Sequence, residues 1–356
     1  MKPANVARDS AHSLSVRGCA RRALTVLADR VLCWPAWRPS PGYRVRTPAR
    51  RRAEERGLRA TSAGFFGSAS RLPLLPGGHI DSAGVRGYYI DLSMKPVSPT
   101  WPPSWFEVAD LHVVFTQWGL GCYERYLDGA GDQWLNGALA CGRHLLSRQD
   151  AKGAFPHLAP YPHTFSLLPP WVSGIAQGQA ASLFMRLYAE TGDNVFAENG
   201  RLALAPLLVP TVEGGAGALL DAREWPEEYP TDPPSFVLNG GIFAMWGYRD
   251  VAAALDDAVA GATFERAVDT LAGTIHRWDT GFWSRYDLYP HPLANVASFS
   301  YHVLHISQLR VLNELAPRPA LADAVARFES YWSSRVCRAR AFAHKAAFRL
   351  RVPRRS

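Results

Sequence analysis

Cysteine is scarce in this 356-residue chain: Cys19, Cys33, Cys122, Cys141 and Cys337 are scattered and odd in number. No pair has the spacing of metal ligands, and the set makes a poor disulfide framework. A reducing compartment fits, and a cytoplasmic location is the expectation. No run of about 18 apolar residues occurs, so no membrane-spanning helix is expected. A Gly-rich phosphate loop, a Ser–His–Asp order and a zinc signature are all missing. No cofactor or metal is therefore expected. An export signal is also wanting, because Asp29 and Arg30 interrupt the apolar stretch Ala23–Trp34.

Acidic residues are rare at the two ends. Residues 1–71 hold 15 Lys and Arg against four acids, and residues 335–356 hold eight against none. The whole chain has 39 basic and 31 acidic residues, which leaves 16 and 27 between the ends. The net charge of +8 thus belongs to the ends and gives no reason to expect nucleic-acid binding by the folded part. Residues 1–78 are rich in Arg, Pro, Ser and Gly with no apolar period, and read as a disordered basic tail. Residues 337–356 read as a second basic tail, leaving one domain over 79–336.

Helical periodicity dominates that domain. It predicts helices near 107–128, 132–149, 171–191, 194–208, 235–256, 260–278, 298–316 and 320–336. A weak internal repeat supports paired helices: Tyr126-Leu-Asp-Gly-Ala-Gly-Asp-Gln-Trp134 is echoed by Tyr188-Ala-Glu-Thr-Gly-Asp-Asn-Val-Phe196. In each copy Gly can stop one helix and Asp can cap the next. The expected class is mainly α, an (α/α) barrel or toroid with short β insertions; an ordinary helical bundle is the alternative. A short strand or extended entry segment is expected at 87–92, and strand or hairpin insertions at 210–221 and 282–289.

Several polar residues stand out. Glu228-Tyr229 lies between Trp225-Pro226 and Pro230, in rigid apolar surroundings. A carboxylate there can have its pKa raised and act as an acid or base; the alternative is a solvated surface pair. Tyr286 follows Arg285, and in a strand the two face opposite sides. Arg285 is either paired with Asp287 or available to a substrate carboxylate. Tyr301 and His305 share a helix face, as do His302 and His305, but no third ligand accompanies the histidines. Gly174 and Gly178 line one stripe and suit close approach of a neighbouring helix or of a sugar. The 12 Trp and 13 Tyr suit stacking on sugar rings as well as filling a helical core.

Five ordered blocks carry a resemblance. They are Leu168-Pro-Pro-Trp-Val-Ser-Gly-Ile-Ala-Gln-Gly-Gln179, Glu227-Glu-Tyr-Pro-Thr231, Ser235-Phe-Val-Leu-Asn-Gly240, Tyr286-Asp-Leu288 and Tyr301-His-Val-Leu-His-Ile-Ser-Gln-Leu309. Together they resemble the C-terminal domain of the D-glucuronyl C5-epimerases of heparan sulfate and heparosan type. The resemblance implies an (α/α) domain acting without a cofactor on an anionic, uronate-containing polysaccharide, and a possible homodimer. It implies catalytic roles for Glu228, Tyr229, Tyr286 and Tyr301. Substrate contacts are expected from Arg285, His302, Asn239, Gln177 and Trp171. One departure matters: the animal enzymes follow Tyr-Asp-Leu with Arg, whereas Tyr289 stands here. Two other readings remain: a polysaccharide lyase, which begins with the same C5 proton abstraction, and a non-catalytic glycan-binding scaffold.

Overall fold

The periodic segments fold as helices. The computed structural model describes residues 75–103, 111–162 and 164–353, and most of the expected N-terminal tail lies outside them. All the described residues belong to one compact unit. Its helices are α1 (His112–Leu127), α2 (Asp132–Arg148), α3 (Gly174–Thr191), α4 (Asn194–Leu202), α5 (Ala205–Leu208), α6 (Leu238–Leu255), α7 (Ala258–Thr274), α8 (Phe299–Leu315), α9 (Pro319–Ser333) and α10 (Arg335–Arg351).

Two kinds of helix alternate. α1, α3, α6 and α8 are buried on nearly every side. Their partners α2, α4, α7 and α9 bury one stripe, such as Leu321, Ala324, Phe328 and Trp332 of α9, and turn the rest to solvent. α3 packs on both α1 and α6, and α6 packs on α8. The α3–α6 crossing is backbone to backbone: a Cβ on Gly178 would come within 2.4 Å of the Ala244 Cα.

The repeat marks real turns, with one difference between its copies. Gly192 closes α3 in the left-handed region, and the Asp193 side chain accepts the Val195 N–H at 3.1 Å. Asp132 does not cap α2, because Gly131 takes the cap position and Asp132 is already helical. Asp257 caps α7 in the same way as Asp193 caps α4, accepting the Val259 and Ala260 N–H groups.

Other expectations need correction. Trp171 is not helical. It pairs with His157 in an antiparallel ladder of β1 (Pro156–His157) with β4 (Trp171–Val172), which encloses in sequence a second pair of equal size, β2 (Tyr161–Pro162) with β3 (Ser166–Leu167). Pro169-Pro170 forms a bend between β3 and β4, and α3 starts only at Gly174. The expected helix 194–208 breaks after Leu202, and Pro206 starts α5. The hairpin expected at 210–221 is present further along, as β5 (Gly217–Leu220) against β6 (Arg223–Pro226). Residues 282–289 form isolated bridges and no ladder, whereas 87–92 makes one bridge, Ile90 with Pro76, in keeping with an entry segment. The stretch after 337 continues as α10 to Arg351, docked through buried Ala341 and Phe348.

Arginines do for the leading segment what a sheet would have done. Arg186 of α3 donates to the Gly87 carbonyl and to Asp250 Oδ2, both at 2.7 Å. Arg249 donates to the carbonyls of Asp81, Ser82 and Gly84. Asp250 also accepts the Tyr89 hydroxyl. No helix among the described residues is long and apolar enough to cross a membrane.

Candidate active site

Strand β6 runs directly into the Glu227-Glu228-Tyr229 segment, and Glu227 fixes it. The Glu227 N–H donates to Ala216 O at 2.7 Å, and its carbonyl accepts the Gly174 N–H at 2.9 Å. Its carboxylate accepts the Ser235 hydroxyl at 2.6 Å and the Phe236 N–H at 2.7 Å. That clasp holds the following loop, in which Phe236 adopts a φ of 48°. Burial pushes the Glu227 carboxyl up to about 8, against the pull of its two donors. Glu227 therefore shapes the site from beneath.

Glu228 points the other way, against α6. A Cβ on Gly240 would lie 2.3 Å from Glu228 Oε2, so only glycine leaves room for this carboxylate. Burial pushes Glu228 up to about 7; Tyr229, hydrogen-bonded to it, pulls down, and the charge of Asp287 adds to the rise. Oε2 is buried with no hydrogen-bond partner. A carboxyl poised near neutrality with one oxygen unengaged can both take up and release a proton.

Tyr229 and Tyr286 close the group. Both are buried in an apolar cluster with Phe165, Leu167, Trp171 and Val237. The Tyr229 hydroxyl is in hydrogen-bonding contact with Glu228 and with Tyr286. Burial, then the charge of Glu228 and the nearby Tyr301, hold the Tyr286 phenol well above its ordinary range, so it stays protonated. The Tyr286 and Tyr301 rings meet edge to face at 5.1 Å. Tyr301, on the first turn of α8, is 37% exposed and marks the solvent side. The segment bearing Tyr286 is laced in place: its N–H donates to Asn295 O, and its carbonyl accepts the Leu238 N–H at the start of α6. The structure thus brings Glu228, Tyr229, Tyr286 and Tyr301 together.

The expected substrate contacts divide. Trp171 is a wall of the cluster, stacked on His157 at 3.9 Å. Asn239 sits beside Gly240, with its Oδ1 buried and without a hydrogen-bond partner. Gln177 is placed elsewhere: its side chain accepts the Phe155 N–H and donates to the carbonyls of Gly153 and Ala203, tying loops together. His302 is stacked on Trp283 at 3.7 Å and held between Ser284 and the Phe328 carbonyl. Burial pushes it down to about 3, so it is a neutral packing residue. Arg285 donates to the Asp287 carbonyl at 3.1 Å, and the charges nearest it are Asp287 and Arg277.

Three contributors escaped the sequence reading. Asp287 is fully buried, hydrogen-bonded by Asn295 at 2.5 Å, and raises Glu228. Its place beside Tyr286 was its one signal. Gly240 makes room for Glu228, and the Phe165 ring lies tilted against Tyr229 at 5.4 Å. Gly240 closes the block Ser235–Gly240, and Phe165 has no signal that precedes the fold. Among the described residues, no three His, Cys, Asp or Glu side chains converge so as to hold a metal ion.

The family model for the D-glucuronyl C5-epimerase C-terminus matches residues 149–330, the span that carries all four converging side chains. The chain is similar to a D-glucuronyl C5-epimerase of Caenorhabditis elegans, 28% identical over 181 residues, covering 46% of this chain and 29% of that protein. It is also similar to an uncharacterized protein of Methanocaldococcus jannaschii, 26% identical over 155 residues, covering 42% of this chain and 47% of that one. The chain spans less than half the length of either relative.

Proposed function

This chain belongs to the D-glucuronyl C5-epimerase C-terminal family, and from that membership we propose that it inverts C5 of glucuronate residues within an acidic polysaccharide. An (α/α) toroid is the architecture that the alternation of fully buried and one-sided helices supports.

The observation that carries the reading is the convergence of one carboxylate with three phenols. The C5–H bond lies beside a carboxylate and is very weakly acidic. In the proposed step an ionised Glu228 takes the C5 proton, and the electron pair of the C–H bond moves into the substrate carboxylate as an enolate-like state. A tyrosine on the opposite face then gives its O–H proton to C5. Tyr301, at the solvent side of the group, is assigned that role. Tyr286 and Tyr229, kept neutral or hydrogen-bonded, donate to the developing charge. Exchange of protons with solvent restores an ionised Glu228 and a neutral Tyr301.

Incubation with heparosan in deuterated water tests this. C5 deuterium with intact chains is expected. An ultraviolet-absorbing unsaturated uronate with chain scission would identify a lyase instead. Binding without exchange on several uronans would leave a non-catalytic scaffold.

A further inference from the structure

Helix α10 lies beyond the family match, yet it is docked on the segment that carries Tyr286. Over Arg335–Arg351 it has six basic residues, Arg335, Arg338, Arg340, Lys345, Arg349 and Arg351, and no acid. The Arg340 guanidinium sits 4.0 Å over the Phe282 ring. His344 contacts Ala294 O at 2.9 Å. Lys345 Nζ donates to Asn295 Oδ1 and to Val296 O, both at 2.7 Å. Asn295 is the residue that donates to Asp287.

The far end of the helix reaches the aromatic wall. Arg349 donates to Thr164 Oγ1 at 3.1 Å, and Thr164 precedes Phe165. Phe348 meets His291 at 5.1 Å, His291 stacks 5.8 Å from Phe165, and Phe165 lies 5.4 Å from Tyr229. Two or three rings therefore separate a basic helix from the proposed catalytic group.

That placement answers an electrostatic need. The site holds the buried acids Glu228 and Asp287, and a polyanion must approach them. Arg285, the arginine next to Tyr286 in sequence, is turned to the Asp287 carbonyl. α10 brings cations to the same edge. Arg335, Arg340 and Arg351 are exposed, and a 17-residue helix runs for about 25 Å, long enough to follow several sugar units.

We infer that α10 is an anion-binding rim of the site, gripping an acidic polysaccharide chiefly through Arg340, Arg349 and Arg351. This rests on the reading of the site as acting on a uronate polymer. The rim raises the local concentration of substrate and sets its course past Phe165 toward Glu228.

The test measures heparosan binding by the full chain over a series of salt concentrations. A variant carrying Arg340→Gln, Arg349→Gln and Arg351→Gln should bind about tenfold more weakly at low salt, and its log Kd should depend less steeply on log salt. Arg351→Glu alone, an exposed change that leaves the fold alone, should lose several-fold. Unchanged affinity and salt slope in both variants would overturn the rim. So would absence of heparosan binding by the parent chain, or equal affinity for a DNA oligonucleotide of matched charge. If the parent binds heparosan through the rim but exchanges no C5 proton on any uronan, the rim stands and the epimerase reading falls.

Discussion

Glu228 sets the acid–base behaviour of the site. Its carboxyl is held near 7 by burial, and in the proposed role of base it must be ionised. Exchange at C5 should therefore rise through about pH 7, read from initial rates between pH 5 and 9. Glu228→Gln should lower exchange at least about a hundredfold. Its stability is the more informative readout. A carboxyl raised in the folded state keeps its proton while the unfolded chain has lost it, so it costs stability as pH climbs from about 4.5 through about 7. Glu228→Gln removes that cost, so its melting temperature should gain on the parent's between pH 5 and 8. A constant difference would contradict the burial argument. Tyr301→Phe should abolish exchange and shift stability by no more than about 0.5 kcal/mol, because its side chain is partly exposed. Near-normal exchange would remove Tyr301 from the mechanism. The four converging side chains were singled out together by the family resemblance of the blocks that hold them, not by residue type or spacing alone. His302 and Gln177 were not legible as packing residues, because their partners, Trp283, Phe328, Phe155 and Ala203, are assembled only by the fold.

Single elements carry the geometry. Gly240 lies in the first turn of α6, where an added Cβ collides with Glu228. Gly240→Ala should displace the carboxylate and lower exchange by at least about tenfold, at a stability cost of about 1–3 kcal/mol, measured by C5 exchange and thermal unfolding. Sequence period located the long helices because an apolar stripe repeats over several turns. It missed β1 to β4 because two-residue strands have no period, and it placed the start of α3 three residues early by including Trp171-Val172. It missed α10 because charge composition outweighed the spaced Ala341 and Phe348 that dock it. Asp257, capping α7 without a preceding glycine, shows the helix-pair turn in a form that the repeat had not suggested.

At the scale of the whole molecule, a fully buried ion pair joins parts far apart in sequence. Arg186 and Asp250 are both fully buried, and between them they hold Gly87 and Tyr89 of the leading segment. Asp250→Ala leaves a buried guanidinium without its carboxylate and should cost about 3–5 kcal/mol in denaturant unfolding. The exchange reaction per folded molecule should persist, since this tie is not among the contacts of Glu228 or the three tyrosines. Nothing local in the sequence marks Arg186 or Asp250 as partners, because the pairing spans the α3–α6 crossing.

The hairpin β5–β6 has one further consequence. Its tip, where Asp221 and Ala222 take positive φ, stands in solvent beside exposed Leu219, while its other end is continuous with Glu228. Two residue pairs, Ala218 with Trp225 and Gly217 with Pro226, thus separate the accessible Leu219 from the proposed catalytic segment. A fluorophore attached at Leu219→Cys would ride on the same rigid arm as the carboxylate. It would give a real-time optical signal of polymer arrival without touching the groups that react.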